Sequence, residues 1–110
     1  VHLQQVVLNI VTNAMDAMAD RQPGERLLTL TTECAGPSEG RVVVTDTGTG
    51  IPVDKLAVVF DTFYTTKPAG TGLGLSIARA IVESYGGRIW AENRPERGAV
   101  VSFVLPLVQA

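Results

Sequence analysis

Hydrophobic residues near the start of the chain repeat at helical spacing. Together they form one apolar face, made of Leu3, Val6, Val7, Ile10, Val11, Ala14, Ala17 and Met18. A spacing of three and four residues puts side chains on one side of an α-helix, so we predict a first helix that runs to Met18 or Ala19. The helix-breaking residues Gln22, Pro23 and Gly24 follow it.

The rest of the chain alternates between strand-like and helix-like patterns. Two adjacent pairs of segments are predicted as strands: residues 26–33 and 41–45, then 88–92 and 99–105. Between the pairs we predict a short helix over 53–59 and an amphipathic helix over 73–85, whose inward residues are Leu73, Ile77, Ile81 and Val82. This order predicts an α/β (α+β) two-layer sandwich, with a mixed, largely antiparallel sheet and helices packed on one face.

Composition narrows the possible functions. The 110 residues suit one small domain, residues 1–110, and the formal net charge of -2 gives no attraction for nucleic acid or an anionic membrane. The single cysteine, Cys34, cannot form an internal disulfide, and no apolar run reaches the roughly 20 residues that span a bilayer, so we expect a cytoplasmic domain. Because the helical pattern already includes Leu3, we expect a fragment that is truncated at its N terminus.

A polar stripe lies beside the apolar face of the first helix. Asn9 and Asn13 stand one turn apart, so they project to the same side, and Asp16 and Asp20 continue the stripe. One interpretation is a polar flank that faces solvent. The other is a pair of amide oxygens offered to a hard cation such as Mg²⁺, which completes its shell with water and substrate phosphates.

Asp46 stands where an apolar strand ends and a glycine turn begins, with Gly48 and Gly50 close behind it. Aspartate commonly caps such a turn. Alternatively, its carboxylate accepts a hydrogen bond from an exocyclic amine, while the two glycines leave room for a flat ring. Turn chemistry alone leaves both interpretations open.

A glycine run precedes the second predicted helix. It reads Gly70, Thr71, Gly72, Leu73, Gly74 and Leu75. A glycine loop that opens a helix suits an anion, most often a phosphate, although many such runs are plain turns. Lys67, just before the run, is either a solvated side chain or a counter-charge for a phosphate. Phe60, Phe63 and Tyr64 suggest a hydrophobic latch nearby.

Taken together, four motifs resemble the catalytic ATP-binding domain of sensor histidine kinases, within the superfamily that includes gyrase B and MutL. Residues 5–14 resemble the N box, 46–51 the first glycine motif, 60–67 the aromatic motif and 70–76 the last glycine motif. Their order and spacing make the resemblance specific, and it covers almost the whole chain. The wording around Lys67 is similar to that of NtrB-like and FixL-like kinases. The resemblance implies a Bergerat ATP-binding fold.

The resemblance also implies roles for individual residues. Asn13 would be the principal Mg²⁺ ligand, with Asn9 nearby on the metal or the phosphates. Asp46 would accept from the adenine amino group, and Lys67 would reach the terminal phosphates, so that Asn9, Asn13 and Lys67 are the implied catalytic residues. The other implied contacts of ATP are Asp16, Gly48, Gly50, Ile51, Phe60, Gly70, Thr71, Gly72, Leu73, Gly74 and Leu75.

The function implied is that of a protein histidine kinase. The domain would bind Mg·ATP and transfer the γ-phosphoryl group to a histidine on its own kinase's dimerisation domain. The full-length kinase would be a homodimer, and a response regulator would be an indirect partner. The only histidine here, His2, lacks the family's acceptor pattern and is expected to be structural or exposed.

Two other functions are weighed against this one. The first is another superfamily kinase or an ATPase. ATP-hydrolysing members carry a glutamate base where this chain has Asn9, whose amide cannot take a proton, so we expect poor hydrolysis. The second is a degenerate fold used only for protein contact, against which the intact Asn13, Asp46 and glycine run argue.

Overall fold

The computed structural model of the chain describes residues 2–61 and 74–106. The described part has two α-helices, α1 (His2–Ala17) and α2 (Gly74–Ser84). Its four strands are β1 (Thr29–Gly36), β2 (Glu39–Thr45), β3 (Arg88–Asn93) and β4 (Ala99–Pro106). Two single turns of 3₁₀-helix, Pro23–Glu25 and Val53–Lys55, lie in the connections.

The four strands form one sheet in the order β1-β2-β4-β3, and all three strand pairs are antiparallel. This confirms the predicted α/β sandwich with a largely antiparallel sheet, and no parallel pair occurs among the described strands. In the register, Thr45 at the end of β2 lies opposite Val100 near the start of β4. The residue after β2, Asp46, therefore lies at the end of the sheet, beside the β3–β4 turn.

The hydrophobic core lies between one face of the sheet and the two helices. Its most buried members on α1 are Val6 and Ile10, and on α2 they are Ala78 and Val82. The sheet contributes alternate residues of its central strands, such as Phe103, because side chains on a strand point to opposite faces in turn. The helices thus cover one face of the sheet.

One predicted core residue is on the wrong side of its helix. Ile77 is 42 % exposed, whereas Ala78 and Val82 are fully buried. Successive residues of an α-helix are separated by about 100° around its axis, so with Ala78 facing the core Ile77 lies toward the edge of the buried face. The small Ala78 faces the core in its place.

Several predicted element boundaries also differ by a few residues, most clearly in two segments. The segment 53–59 is not a short α-helix, since only Val53–Lys55 forms a single 3₁₀ turn. The first strand begins at Thr29 rather than at residue 26. Arg26 is engaged elsewhere, because its guanidinium donates to the carbonyl oxygens of Arg21 and Ala19 just after α1.

Neither of the described helices combines the length and the apolar character that crossing a membrane requires.

Candidate functional site

Asp46 is a buried carboxylate at the end of the sheet, only 4 % exposed. Its Oδ1 accepts a hydrogen bond from the backbone N–H of Gly48 at 2.8 Å and one from that of Ala99 at 3.3 Å. Both hydrogen bonds that described residues make to this carboxylate go to the same oxygen. The carboxylate is therefore fixed through Oδ1, and Oδ2 is the atom that can accept from a ligand.

The β3–β4 turn contacts the backbone of Asp46 and fixes its position. The N–H of Asp46 donates to the carbonyl oxygen of Ala99 at 3.0 Å. Gly98 has a φ of 101°, and a Cβ at this position would overlap the carbonyl oxygen of Asp46. Glycine is needed at position 98 both for the positive φ and for the close approach of the two backbone segments.

The loop after Asp46 packs on the C-terminal end of α1. A Cβ on Gly48 would overlap the carbonyl oxygen of Ala17, so the two backbones are in direct contact. The N–H of Thr49 donates to the same carbonyl at 3.2 Å. The last carbonyls of a helix have no partner within the helix, and the loop supplies one of them with a donor.

The polar stripe of α1 leads from this loop toward the start of α2. Asn9, Asn13 and Ala17 are spaced four residues apart and so share one side of the helix. Ala17 contacts the Asp46 loop, while the Nδ2 of Asn9 donates to the carbonyl oxygen of Gly74 at 3.1 Å. The rise along a helix over this separation is about 12 Å. The polar stripe therefore runs from the Asp46 loop at one end to the start of α2 at the other.

The two asparagines are in different states. The Oδ1 of Asn9 accepts from the Nε2 of Gln5 at 2.8 Å, so both ends of the Asn9 amide are engaged. Asn13 is partly buried, and its side-chain amide makes no hydrogen bond to any described residue. Of the two amide oxygens predicted to face a cation, the one on Asn13 is thus open to a ligand.

At the far end of the stripe, α2 begins. Gly74 is its first residue and is exposed, and Leu75 packs partly buried against the core. The first N–H groups of a helix have no partner within it and carry the positive end of its dipole. One end of the stripe thus has a buried carboxylate, and the other has a helix end suited to an anion.

Asn93, the last residue of β3, is a contributor that the sequence analysis missed. Its Oδ1 accepts from the N–H of Ile51 at 2.7 Å, and its Nδ2 donates to the carbonyl oxygen of Ile51, also at 2.7 Å. The partners are 42 residues apart, so no local pattern connects them. A polar residue at a strand end beside the glycine turn is the only signal available in the sequence.

The remaining predicted site residues are in different surroundings. Phe60 is buried in the core, Ile51 packs partly buried against it, and Asp16 is exposed on α1. Seven residues predicted for the latch, the phosphate counter-charge and the glycine run lie outside the described residues: Phe63, Tyr64, Lys67, Gly70, Thr71, Gly72 and Leu73. Of the predicted site residues that the structure describes, Asp46, Gly48, Gly50 and Ile51 lie in one loop. This loop packs against the C-terminal end of α1 through Gly48.

Known proteins resemble this chain over nearly its whole length. A family model described as histidine kinase-, DNA gyrase B-, and HSP90-like ATPase matches residues 1–109. The sensor protein FixL of Bradyrhizobium diazoefficiens is 45 % identical over 106 residues, which are 96 % of this chain and 21 % of FixL. The chain thus spans about a fifth of the length of FixL and of a second relative, the sensor protein TdiS of Thauera aromatica.

Two solved structures share the fold. Full-length ShkA in complex with AMPPNP superposes with a TM-score of 0.85 at 29 % identity, over 99 % of this chain and 22 % of ShkA. The histidine kinase ThkA in complex with the response regulator protein TrrA superposes with a TM-score of 0.77 at 36 % identity, over 96 % of this chain and 28 % of that one.

Proposed function

The chain belongs to the histidine kinase-, DNA gyrase B- and HSP90-like ATPase family, and we propose that it binds Mg·ATP and donates the γ-phosphoryl group to a histidine on its own kinase's dimerisation domain. The observation that carries the proposal is the Asp46 carboxylate, buried and held through one oxygen by two backbone N–H groups. A carboxylate fixed in this way is a preorganised acceptor for one donor group of a ligand.

The Asp46 end of the site is the proposed pocket for the base. Adenine carries an exocyclic amine that can donate to Oδ2, whereas guanine carries a carbonyl oxygen at the equivalent position. An oxygen facing a carboxylate is unfavourable, so the site should select adenine. Gly48 and Gly50 have no side chain and leave room for the ring.

The α2 end of the stripe is the proposed site of the phosphates. Bound Mg²⁺ would neutralise phosphate charge, and the open amide oxygen of Asn13 fits the oxygen ligands that this cation prefers. The N-terminal end of α2 suits the phosphate anions. Lys67 and the glycines at 70, 72 and 74 enter the proposal through the family motifs.

Asn9 supports transfer over hydrolysis as the proposed reaction. Its amide cannot take a proton from water, and it is engaged by Gln5 and Gly74. Hydrolysis should therefore be slow. Transfer to an imidazole needs no base from this domain, because the acceptor supplies its own nucleophile. What remains for the chain's residues is to bind, orient and neutralise the triphosphate.

The solved relatives support both the ligand and the partners. ShkA was solved with AMPPNP, which has the adenine and the three-phosphorus chain of ATP. ThkA was solved with a response regulator protein. We accordingly propose a response regulator as an indirect partner. From the family resemblance we also propose the dimerisation domain as the direct partner, a homodimeric full-length kinase and a cytoplasmic location.

A transfer experiment tests the proposed function. The chain is mixed with the separately produced dimerisation domain of its kinase and with γ-labelled Mg·ATP. We expect acid-labile label on the histidine of that domain. Asn13→Ala should abolish the labelling, and Thr12→Ala, a change at an exposed neighbour on the same helix, should preserve it. Labelling that is equal in all three proteins, or label released mainly as inorganic phosphate, would contradict the proposal.

A further inference from the structure

We propose that Asn93 is a positioning residue that holds the loop of residues 46–51 at the width that the base requires. This inference rests on the proposed function, since it concerns the same pocket. Both ends of the Asn93 amide are engaged by Ile51. Asn93 acts through the backbone of Ile51, to which it makes two hydrogen bonds of 2.7 Å.

The contact has the pattern of strand pairing carried out by a side chain. A peptide group on a neighbouring strand offers one acceptor and one donor, and the Asn93 amide offers the same two groups to Ile51. Only one orientation of the amide satisfies both, because the backbone N–H needs the oxygen and the backbone carbonyl needs the nitrogen. The register of Ile51 against the end of β3 is thereby fixed.

Gly50 adds a steric limit to this contact. Its φ is 77°, and a Cβ built on it would lie 3.0 Å from the Oδ1 of Asn93 and 3.4 Å from the carbonyl oxygen of Gly98. The glycine backbone therefore packs closely against both residues. A side chain at position 50 would crowd both residues, so glycine allows the loop to lie close to β3, where the two hydrogen bonds from Asn93 hold it.

Both ends of the loop are anchored to the same β3–β4 turn. At one end, Asp46 pairs with Ala99 through its N–H and through Oδ1. At the other end, Ile51 pairs with Asn93 at the opposite side of that turn. The distance between the Asp46 carboxylate and Ile51 is therefore determined by a turn that lies outside the known sequence motifs.

The test compares binding of ADP and adenosine to the wild-type chain and to Asn93→Ala by calorimetry. We expect Asn93→Ala to lower the affinity for both ligands by a similar factor, about tenfold, because the change affects the pocket for the base and not the site of the phosphates. Asn93→Asp retains the oxygen that accepts from the Ile51 N–H and loses the donor to the Ile51 carbonyl, so it should weaken binding less, by about threefold. Glu92→Ala, at an exposed neighbour on β3, should leave both affinities unchanged.

The outcomes separate the two proposals. A residue that only stabilises the fold would lower the midpoint of thermal unfolding but leave the affinities of the folded variants unchanged, and this result would overturn the positioning role. A loss confined to ADP would overturn it too, because the defect would then concern the phosphates. If the folded wild-type chain binds neither ligand, the proposed function itself is wrong, and the role of Asn93 fails with it.

Discussion

Asp46 is both a buried carboxylate and the cap of a turn. A buried charge is costly unless it is hydrogen-bonded, and here two backbone N–H groups stabilise one of its oxygens. A turn-capping aspartate needs only the N–H of Gly48. The additional bond from Ala99, which is distant in sequence but lies on the neighbouring strand β4, builds the carboxylate into the end of the sheet. The two interpretations of Asp46 that the sequence left open are therefore compatible, since capping through Oδ1 leaves Oδ2 for a ligand.

Replacing Asp46 with asparagine should strongly weaken the binding of adenine nucleotides. The change removes the charge of the acceptor while preserving its shape, and the loss of a charge-assisted hydrogen bond costs about 1.5–3 kcal/mol. Calorimetric titration with ADP measures it, with Asp54→Asn as the matched change at an exposed aspartate. Equal affinities in the two variants would show that Asp46 does not receive the base.

Replacing Asn13 with alanine should affect only the metal-dependent part of binding. The change removes an amide oxygen that no described residue uses, so we expect little effect on ADP without Mg²⁺. The gain in ATP affinity that Mg²⁺ brings should be largely lost. Titrations with and without Mg²⁺ measure both quantities, and an equal loss in both conditions would exclude Asn13 as the metal ligand.

At the scale of elements, the packing of the Asp46 loop on the end of α1 positions the two parts of the site relative to each other. Gly48→Ala should destabilise it, because the new Cβ overlaps the carbonyl of Ala17 and the two backbones must separate. Overpacking of this kind costs about 1–3 kcal/mol. We expect this loss in the free energy of unfolding, together with weaker nucleotide binding.

Gly24→Ala is the matched control, since nothing lies within 4 Å of a Cβ at that position. Chemical denaturation of both variants gives the comparison. A Gly48→Ala protein as stable as the control would show that the helix and the loop are not in the close contact described.

Helices, strands and their order could be predicted because they depend on local periodicity. The packing of α2 could not, since Ile77 and Ala78 are both apolar and only the position of α1 decides which of them turns inward. The start of β1 was also hidden, because Arg26 is drawn to the end of α1 by carbonyls that the pattern does not show. Asn93 depends on a partner brought close by the fold alone.

At the scale of the whole molecule, one core supports every part of the site. Phe103 lies in the central strand β4 and is 2 % exposed. Phe103→Ala should therefore cost about 3–5 kcal/mol of stability, the usual range for a buried phenylalanine. Denaturant unfolding measures this loss, and Val53→Ala, at a residue that is 80 % exposed, should change little. Similar unfolding midpoints for the two variants would contradict the arrangement of the core.

The central claim is that the loop at Asp46 and the Asn13 stripe form one site for Mg·ATP. Its most direct test is calorimetric titration of the chain with ATP, with and without Mg²⁺, and with GTP as the competitor base. The account predicts binding that selects ATP over GTP and becomes tighter when Mg²⁺ is present. A folded chain that binds ATP and GTP equally, or binds neither, would contradict it.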